Sequence, residues 1–348
     1  MSRSGAGDPP RGNIAAVPSL SFVPPTVRDL FARRPRAVRV GLATLVAFTL
    51  VAGWVVFSRN DSSGPRTPVS LATGVPAGVY HRYGELLGPR LAADLDVSVT
   101  VNPSGGSVEN LRRVVSGADT FAIATADAVA DLPEADREGL RAVARLYDDY
   151  VQLVVPASSP VKNVRELRGR RVVVGLPGSG VELITRRLLD KVGMDPDRDI
   201  VPIRIGVGEA TTRLREGSID AFFWSGGLPT GAVSELAATS SVRLVALGDF
   251  AGPLREEYGP VYREAVVPAD AYPNGTETTT IAVPNLLVTT AAQDGELVRR
   301  VTRTVMGNRE AIGREVHAAQ LVDPRTAIFT DPLPLHEGAR RWYRSVKP

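Results

Sequence analysis

The sequence predicts an α/β protein of two lobes around a ligand cleft, preceded by one N-terminal transmembrane helix. Three observations carry this. From Val69 onward, short apolar runs alternate with amphipathic stretches, the pattern of largely parallel strands joined by helices. A Gly-Ser turn between a strand and a helix start occurs twice, in Val101-Asn-Pro-Ser-Gly-Gly-Ser107 and in Arg171-Val-Val-Val-Gly-Leu-Pro-Gly-Ser-Gly180. Val40–Phe57 is a run of 18 residues without charge; as a helix it spans about 27 Å, close to the hydrocarbon thickness of a bilayer.

The elements follow in order. Val69–Thr73 reads as a strand and Gly78–Leu95 as a helix, with Tyr80, Tyr83, Leu87 and Leu91 at helical spacing. Val97–Val101 is a strand, Val108–Val115 a helix and Phe121–Ala124 a strand, and Asp127–Ala130 opens a helix. Arg141–Val155 contains a long extended segment. The second run has a helical turn at Val164–Leu167, strands at Arg171–Gly175, Ile200–Ile205, Ile219–Trp224 and Val242–Leu247, and helices at Glu182–Val192, Glu209–Glu216 and Val233–Ala238. Gly193 and Gly217 stop two of those helices. From Val266 the chain crosses back; Thr278–Val288 reads as a strand, Glu296–Glu315 as one long helix and Gly338–Tyr343 as a terminal helix.

The N-terminal region has its own physics. Residues 1–39 hold seven Arg and two acidic residues, a net of +5, whereas the whole chain is +3. The remainder is therefore −2, and the chain presents no basic face interleaved with aromatics, which argues against nucleic acid as a partner. Arg33, Arg34, Arg36 and Arg39 precede the apolar run. By the positive-inside rule, residues 1–39 form a cytoplasmic basic tail and the large domain is exported. The run at 40–57 is an anchor or a signal segment; the anchor reading is preferred because no small-x-small cleavage site stands near Phe57. Residues 58–68 read as a linker.

Several chemistries are excluded. The chain has no cysteine, so disulfides, thiolate metal sites and a Cys nucleophile are absent. His81, His317 and His336 have no zinc-binding spacing, and no G-x-S-x-G elbow occurs. Gly175–Gly180 has the spacing of a phosphate loop, but Val181-Glu182 stand where Lys and Ser/Thr are needed. Asp148-Asp149 reads as a solvated loop pair. No catalytic residue, cofactor or metal is expected.

The two Gly-Ser turns remain. The first-turn N–H groups of a helix lack acceptors, and the helix dipole lies behind them, so each turn can hold an anion. Each also has a structural explanation. Ser107 can cap a helix, and Ser179 with Glu182 fits a Ser-x-x-Glu capping box. Both turns together favour a small acidic ligand held between two lobes.

The motifs in order also resemble a known family. They are Thr73-Gly74, Gly78-Val-Tyr80, Gly106-Ser-Val-Glu-Asn110, Ala124-Thr-Ala-Asp127, Leu146-Tyr147, Leu167-Arg-Gly-Arg-Arg-Val172, Gly175-Leu-Pro-Gly-Ser-Gly180, Gly217-Ser-Ile-Asp-Ala-Phe222, Gly227-Leu-Pro229, Thr280-Ile-Ala-Val-Pro-Asn285 and Pro334-Leu-His-Glu-Gly-Ala339. Over residues 69–345 the chain resembles the TAXI family, the extracytoplasmic solute receptors of tripartite ATP-independent periplasmic (TRAP) transporters. The resemblance implies a type II periplasmic-binding-protein fold, with lobe 1 formed by 69–155 plus 268–348 and lobe 2 by 156–267. It implies capture of a small organic acid, such as glutamate, 2-oxoglutarate or a dicarboxylate, for a TRAP membrane permease. A sensory subunit serving a signalling partner would use the same pocket. The ligand-binding residues it implies are Thr73, Gly74, Tyr80, Ser107, Asn110, Thr125 and Asp127 from lobe 1, and Ser179, Gly180, Trp224 and Gly227 from lobe 2. Val75, His81 and Val181 depart from the family pattern, and Val181 removes a hydroxyl beside the second turn.

Overall fold

The computed structural model describes Thr49, Val51 and residues 68–346. The expected tail, membrane helix and linker lie almost wholly outside the described residues. Among the described residues, no helix is long and apolar enough to cross a membrane. The described residues 68–346 belong to one compact unit.

That unit is built on a ten-stranded sheet of order β2-β1-β3-β10-β4-β7-β5-β6, with β8 added to β4 and β9 to β10. In the first half, β1 (Val69–Ala72) lies parallel to both β2 (Val99–Asn102) and β3 (Phe121–Thr125). In the second half, β5 (Arg171–Val173) lies parallel to both β6 (Val201–Ile203) and β7 (Ala221–Gly226). Each half thus places its first strand between the next two, the arrangement βαβ crossovers produce.

Two long antiparallel strands join the halves. β4 (Leu140–Pro156) pairs with β10 (Thr278–Thr290) from Leu140 to Tyr150, with β7 from Tyr150 to Val154, and with β8 (Val242–Val245) from Leu153 to Pro156. β10 also pairs with β3 and with β9 (Arg263–Val267). The β4–β10 register shifts between Pro284 and Leu286. Pro284 has no N–H to give the ladder, and the extra residue lies on β4, where Leu146 and Tyr147 stand opposite the single residue Asn285.

Helices cover both halves. α1 (Val79–Leu95) buries Tyr83, Leu87, Leu91 and Leu95 along one stripe. Tyr83 packs on Tyr147 of β4 with ring centroids 5.8 Å apart. Each such fully buried side chain contributes about 1.5–3 kcal/mol. α2 (Ser107–Val115) and α3 (Ala126–Ala130) follow β2 and β3, and α4 (Glu134–Glu138) leads into β4. The second half carries α5 (Gly180–Asp190), α6 (Val207–Arg215), α7 (Gly231–Thr239) and α8 (Ala251–Tyr258). Gly193 and Gly217 do end helical segments, with φ of +69° and +70°.

The expected long helix Glu296–Glu315 is two helices, α9 (Gly295–Gly307) and α10 (Arg309–Gly313). Adjacent Gly307 and Asn308 are poor helix formers, and Asn308 leaves helical geometry while its side-chain amide donates to the Thr304 carbonyl at 2.8 Å. α11 (Glu337–Val346) closes the fold. The elements α4, α8 and β9 have no counterpart in the sequence reading, since all three are short and largely exposed.

Candidate ligand-binding cleft

The carboxyl ends of two sets of three parallel strands, β1–β3 and β5–β7, which run in opposite directions, converge on one cleft. Its lining comes from the turns after β1, β2, β5 and β6, from the ends of β3 and β7, and from Asp149 on β4. Ligands of open α/β sheets sit at this end of the strands. About 640 Å³ of space lies between the two halves, part of it open to solvent.

The first turn is shaped by Gly106, whose φ of +129° and ψ of −155° suit only glycine. It brings the start of α2 against the second turn: a Cβ on Gly106 would lie 3.3 Å from the Ser179 Cβ. Ser107 does not cap α2; Gly106 holds the capping position. The Ser107 hydroxyl instead accepts from the Thr125 amide at 3.1 Å and lies 3.4 Å from the Tyr80 hydroxyl. It thereby ties the start of α2 to the end of β3.

Ser179 does cap α5. Its hydroxyl accepts from the Glu182 amide at 3.0 Å, and the Glu182 carboxylate accepts from the Gly178 amide at 2.9 Å. The capping box is present, displaced by one residue on the return bond. Glu109 plays a matching part on the first turn, accepting from the Gly105 amide at 2.7 Å.

The two helix starts meet directly. The Glu109 amide donates to the Gly178 carbonyl at 3.0 Å. A Cβ on Gly180 would lie 3.2 Å from the Ser107 hydroxyl oxygen and 3.3 Å from that of Thr125. The amides of Ser107, Gly180 and Val181 have no acceptor among the described residues. Thr125 is 3% exposed, lines the cleft, and its hydroxyl has no partner. A buried polar atom of this kind is rare in a folded protein and calls for a ligand or water.

A buried network backs this wall. The Tyr80 hydroxyl donates to the Asn285 side-chain carbonyl, and the Asn285 amide donates to Asp149 at 2.6 Å. Asp149 is 2% exposed and lines the cleft, which overturns its reading as a solvated loop residue. Strand alternation is the reason. Asp148 lies on the half-exposed side with Arg145 and Arg263, at 2.7 and 2.6 Å, and Asp149 faces inward. Burial pushes the Asp149 carboxyl up to about 7, opposed first by the hydrogen bond from Asn285 and then by the nearby Tyr80 hydroxyl, and reinforced by the charges of Asp148 and Asp127. Burial and then the Asp149 charge push the Tyr80 phenol well up.

Of the residues singled out in the sequence, Gly74, Tyr80, Ser107, Thr125, Ser179, Gly180 and Trp224 line the cleft. Thr73, Asn110, Asp127 and Gly227 lie outside the lining. Thr73 donates to the Asn102 carbonyl at 2.9 Å. Asn110 is fully buried behind the first turn, donating to the Thr73 and Ile123 carbonyls and accepting from Ser104 at 2.6 Å. Asp127 is held by the Ala128 amide and the Tyr262 hydroxyl, both at 2.8 Å, with Arg187 3.9 Å away. Gly227 is packed so tightly that a Cβ would meet Ala318 at 2.5 Å. Trp224 gives its indole N–H to Thr230 at 2.9 Å, so it meets the cleft through its ring. Asp149 and Asn285 were not foreseen as site residues; the late Thr280–Asn285 motif held a signal for Asn285.

Arg187 on α5 binds Asp131 on the first half and gives a 2.6 Å bond to Tyr262, with its guanidinium 4.1 Å from the Tyr258 ring centroid. This cluster clasps α5 to α3 behind the two turns. Among the described residues no metal-binding cluster of His, Asp or Glu is assembled.

The model of the NMT1-like family matches residues 71–346. The chain belongs to the NMT1-like family. Two sets of parallel strands joined through two long antiparallel strands make the α/β architecture expected from the sequence. Similar solved structures include the alkanesulfonate-binding protein SsuA from Xanthomonas axonopodis pv. citri bound to MOPS, 18% identical, with 82% of this chain and 86% of that one covered and a TM-score of 0.47. An ancestral arginine-binding protein bound to arginine is 14% identical, with 73% and 98% covered and a TM-score of 0.47. A putative L-cystine ABC transporter from Listeria monocytogenes is 12% identical, with 74% and 98% covered and a TM-score of 0.47.

Proposed function

We propose that this NMT1-like protein is the solute receptor of a TRAP-type secondary transporter, capturing a small organic acid between its lobes and passing it to a membrane permease. One observation carries the reading. The Thr125 hydroxyl and the amides of Ser107, Gly180 and Val181, none with a partner among the described residues, stand together where two helix starts meet. Donors in that arrangement suit a carboxylate. β4 and β10 are the strands through which the halves would hinge. Residues 69–155 with 268–348 and residues 156–267 are the two lobes of this reading, and Val40–Phe57 tethers them to the membrane. Binding needs no cofactor.

A ligand screen by thermal melting of the full chain in mild detergent tests this. A ligand at 100 times its dissociation constant stabilises the fold by about 2.7 kcal/mol. A selective upward shift with carboxylic acids is expected, and none with matched amides. A flat response to every acid from folded protein contradicts the proposal.

A further inference from the structure

The charge balance of the cleft narrows the ligand class. This step rests on the reading of the site as an acid receptor. Among the described residues, no Lys, Arg or His stands in the lining, and one carboxyl group, Asp149, does. The remaining wall is largely apolar, with Val75, Leu176, Ile205, Val207, Phe223 and Trp224 facing the space. A ligand with two carboxylates would meet a buried acid with no side-chain cation to offset either charge, and an unpaired buried charge is costly. A ligand with one carboxylate and one ammonium has no such difficulty. Its carboxylate takes the donors at the helix starts, and its ammonium takes Asp149.

The spacing suits that arrangement. Asp149 is linked to the first turn by a short chain: Asn285 at 2.6 Å from Asp149, the Tyr80 hydroxyl on Asn285, and Ser107 at 3.4 Å from Tyr80. We infer that the cleft selects a zwitterionic amino acid with an apolar side chain over dicarboxylates, with Asp149 as the acceptor for the ammonium group and thus the specificity-determining residue.

The groups facing Asp149 set how proton and ligand compete. Tyr80 on α1 and the neutral Asn285 on β10 stand against it, while Tyr147 and Asp148 on β4, the latter from the opposite side of the strand, and Asp127 on α3 act on it electrostatically. Asp148 is already paired with Arg145 and Arg263. Asp149 must therefore lose its proton to receive an ammonium. With the free carboxyl near 7, affinity for a zwitterion rises with pH through neutrality and falls about tenfold per unit below it. A ligand that places a carboxylate near Asp149 shows the opposite slope.

The experiment is calorimetric titration of the full chain in mild detergent with L-valine, L-leucine, L-glutamate, succinate and 2-oxoglutarate at pH 6 and pH 8. L-valine or L-leucine is expected to bind at least about tenfold more tightly than either dicarboxylate at pH 8, and to weaken about tenfold at pH 6. Asp149→Asn is expected to abolish that pH dependence. Succinate or 2-oxoglutarate binding as tightly as L-valine overturns this inference and leaves acid capture standing. A zwitterion whose affinity is flat with pH, or tightens in acid, also overturns it. Failure of every acid to bind folded protein removes both readings. The pH profile of the unaltered protein decides even where the variant fails to fold.

Discussion

The Glu109 amide donates to the Gly178 carbonyl at 3.0 Å. One residue sits in the first turn of α2 and the other just before α5, so this bond joins the two halves at the edge of the cleft. The Arg187 cluster clasps the same pair of halves from behind.

Gly180 is the tightest point of that junction. A methyl group there would stand 3.2 Å from the Ser107 oxygen and 3.3 Å from Thr125. Gly180→Ala should hinder closure and weaken ligand binding by about 1–3 kcal/mol, the usual penalty of overpacking. Calorimetric titration against the unaltered protein measures this, and unchanged affinity counts against a closed-state contact.

Asn110 has a structural task in spite of its motif. Asn110→Ala would strip partners from the Thr73 and Ile123 carbonyls in a fully buried site. Urea unfolding should show a loss of about 2–4 kcal/mol, two buried bonds' worth. Ser107→Ala, which frees the Thr125 amide, should lose about 1–3 kcal/mol.

Asp149 makes stability depend on pH in a stated direction. Its folded carboxyl is raised to about 7, above the usual 3.9 or so of an unfolded Asp. The unfolded chain therefore releases this proton first. The contribution is fully present below about pH 4 and is lost as pH rises to about 7, at roughly 1.4 kcal/mol per unit. Asp149→Asn removes that loss. In ligand-free urea melts, the variant should gain stability relative to the parent between pH 5 and pH 8. An unchanged difference would argue that Asp149 is ionised throughout.

Arg187→Met should separate the clasp from the cleft. It leaves Asp127 with Tyr262 but without its cation, and removing one partner of a buried pair costs about 3–5 kcal/mol. Differential calorimetry should show a lower melting temperature, and the ligand preference should remain.

Much of this was legible in the sequence because the signals are local. The Ser179–Glu182 box, the Gly stops at 193 and 217, and the Tyr80–Leu91 stripe each depend on neighbours within a turn or two. What escaped depends on register. Asp149 enters the cleft because β4 pairs with β10 and β7 on either side of it. Asn285 meets it from the neighbouring strand, opposite the bulge in β4. Asp127 follows Thr125 by only two residues, yet Tyr262 and Arg187, far along the chain, claim its side chain. No window of sequence around these residues contains those partners.

The most direct measurement is hydrogen exchange of backbone amides in the full chain with and without the tightest-binding acid from the melting screen. Capture at the meeting of the two helix starts predicts slowed exchange centred on residues 104–110 and 176–183. Protection that omits both segments, or that centres on the separate apolar pocket around Tyr272–Thr276, contradicts it.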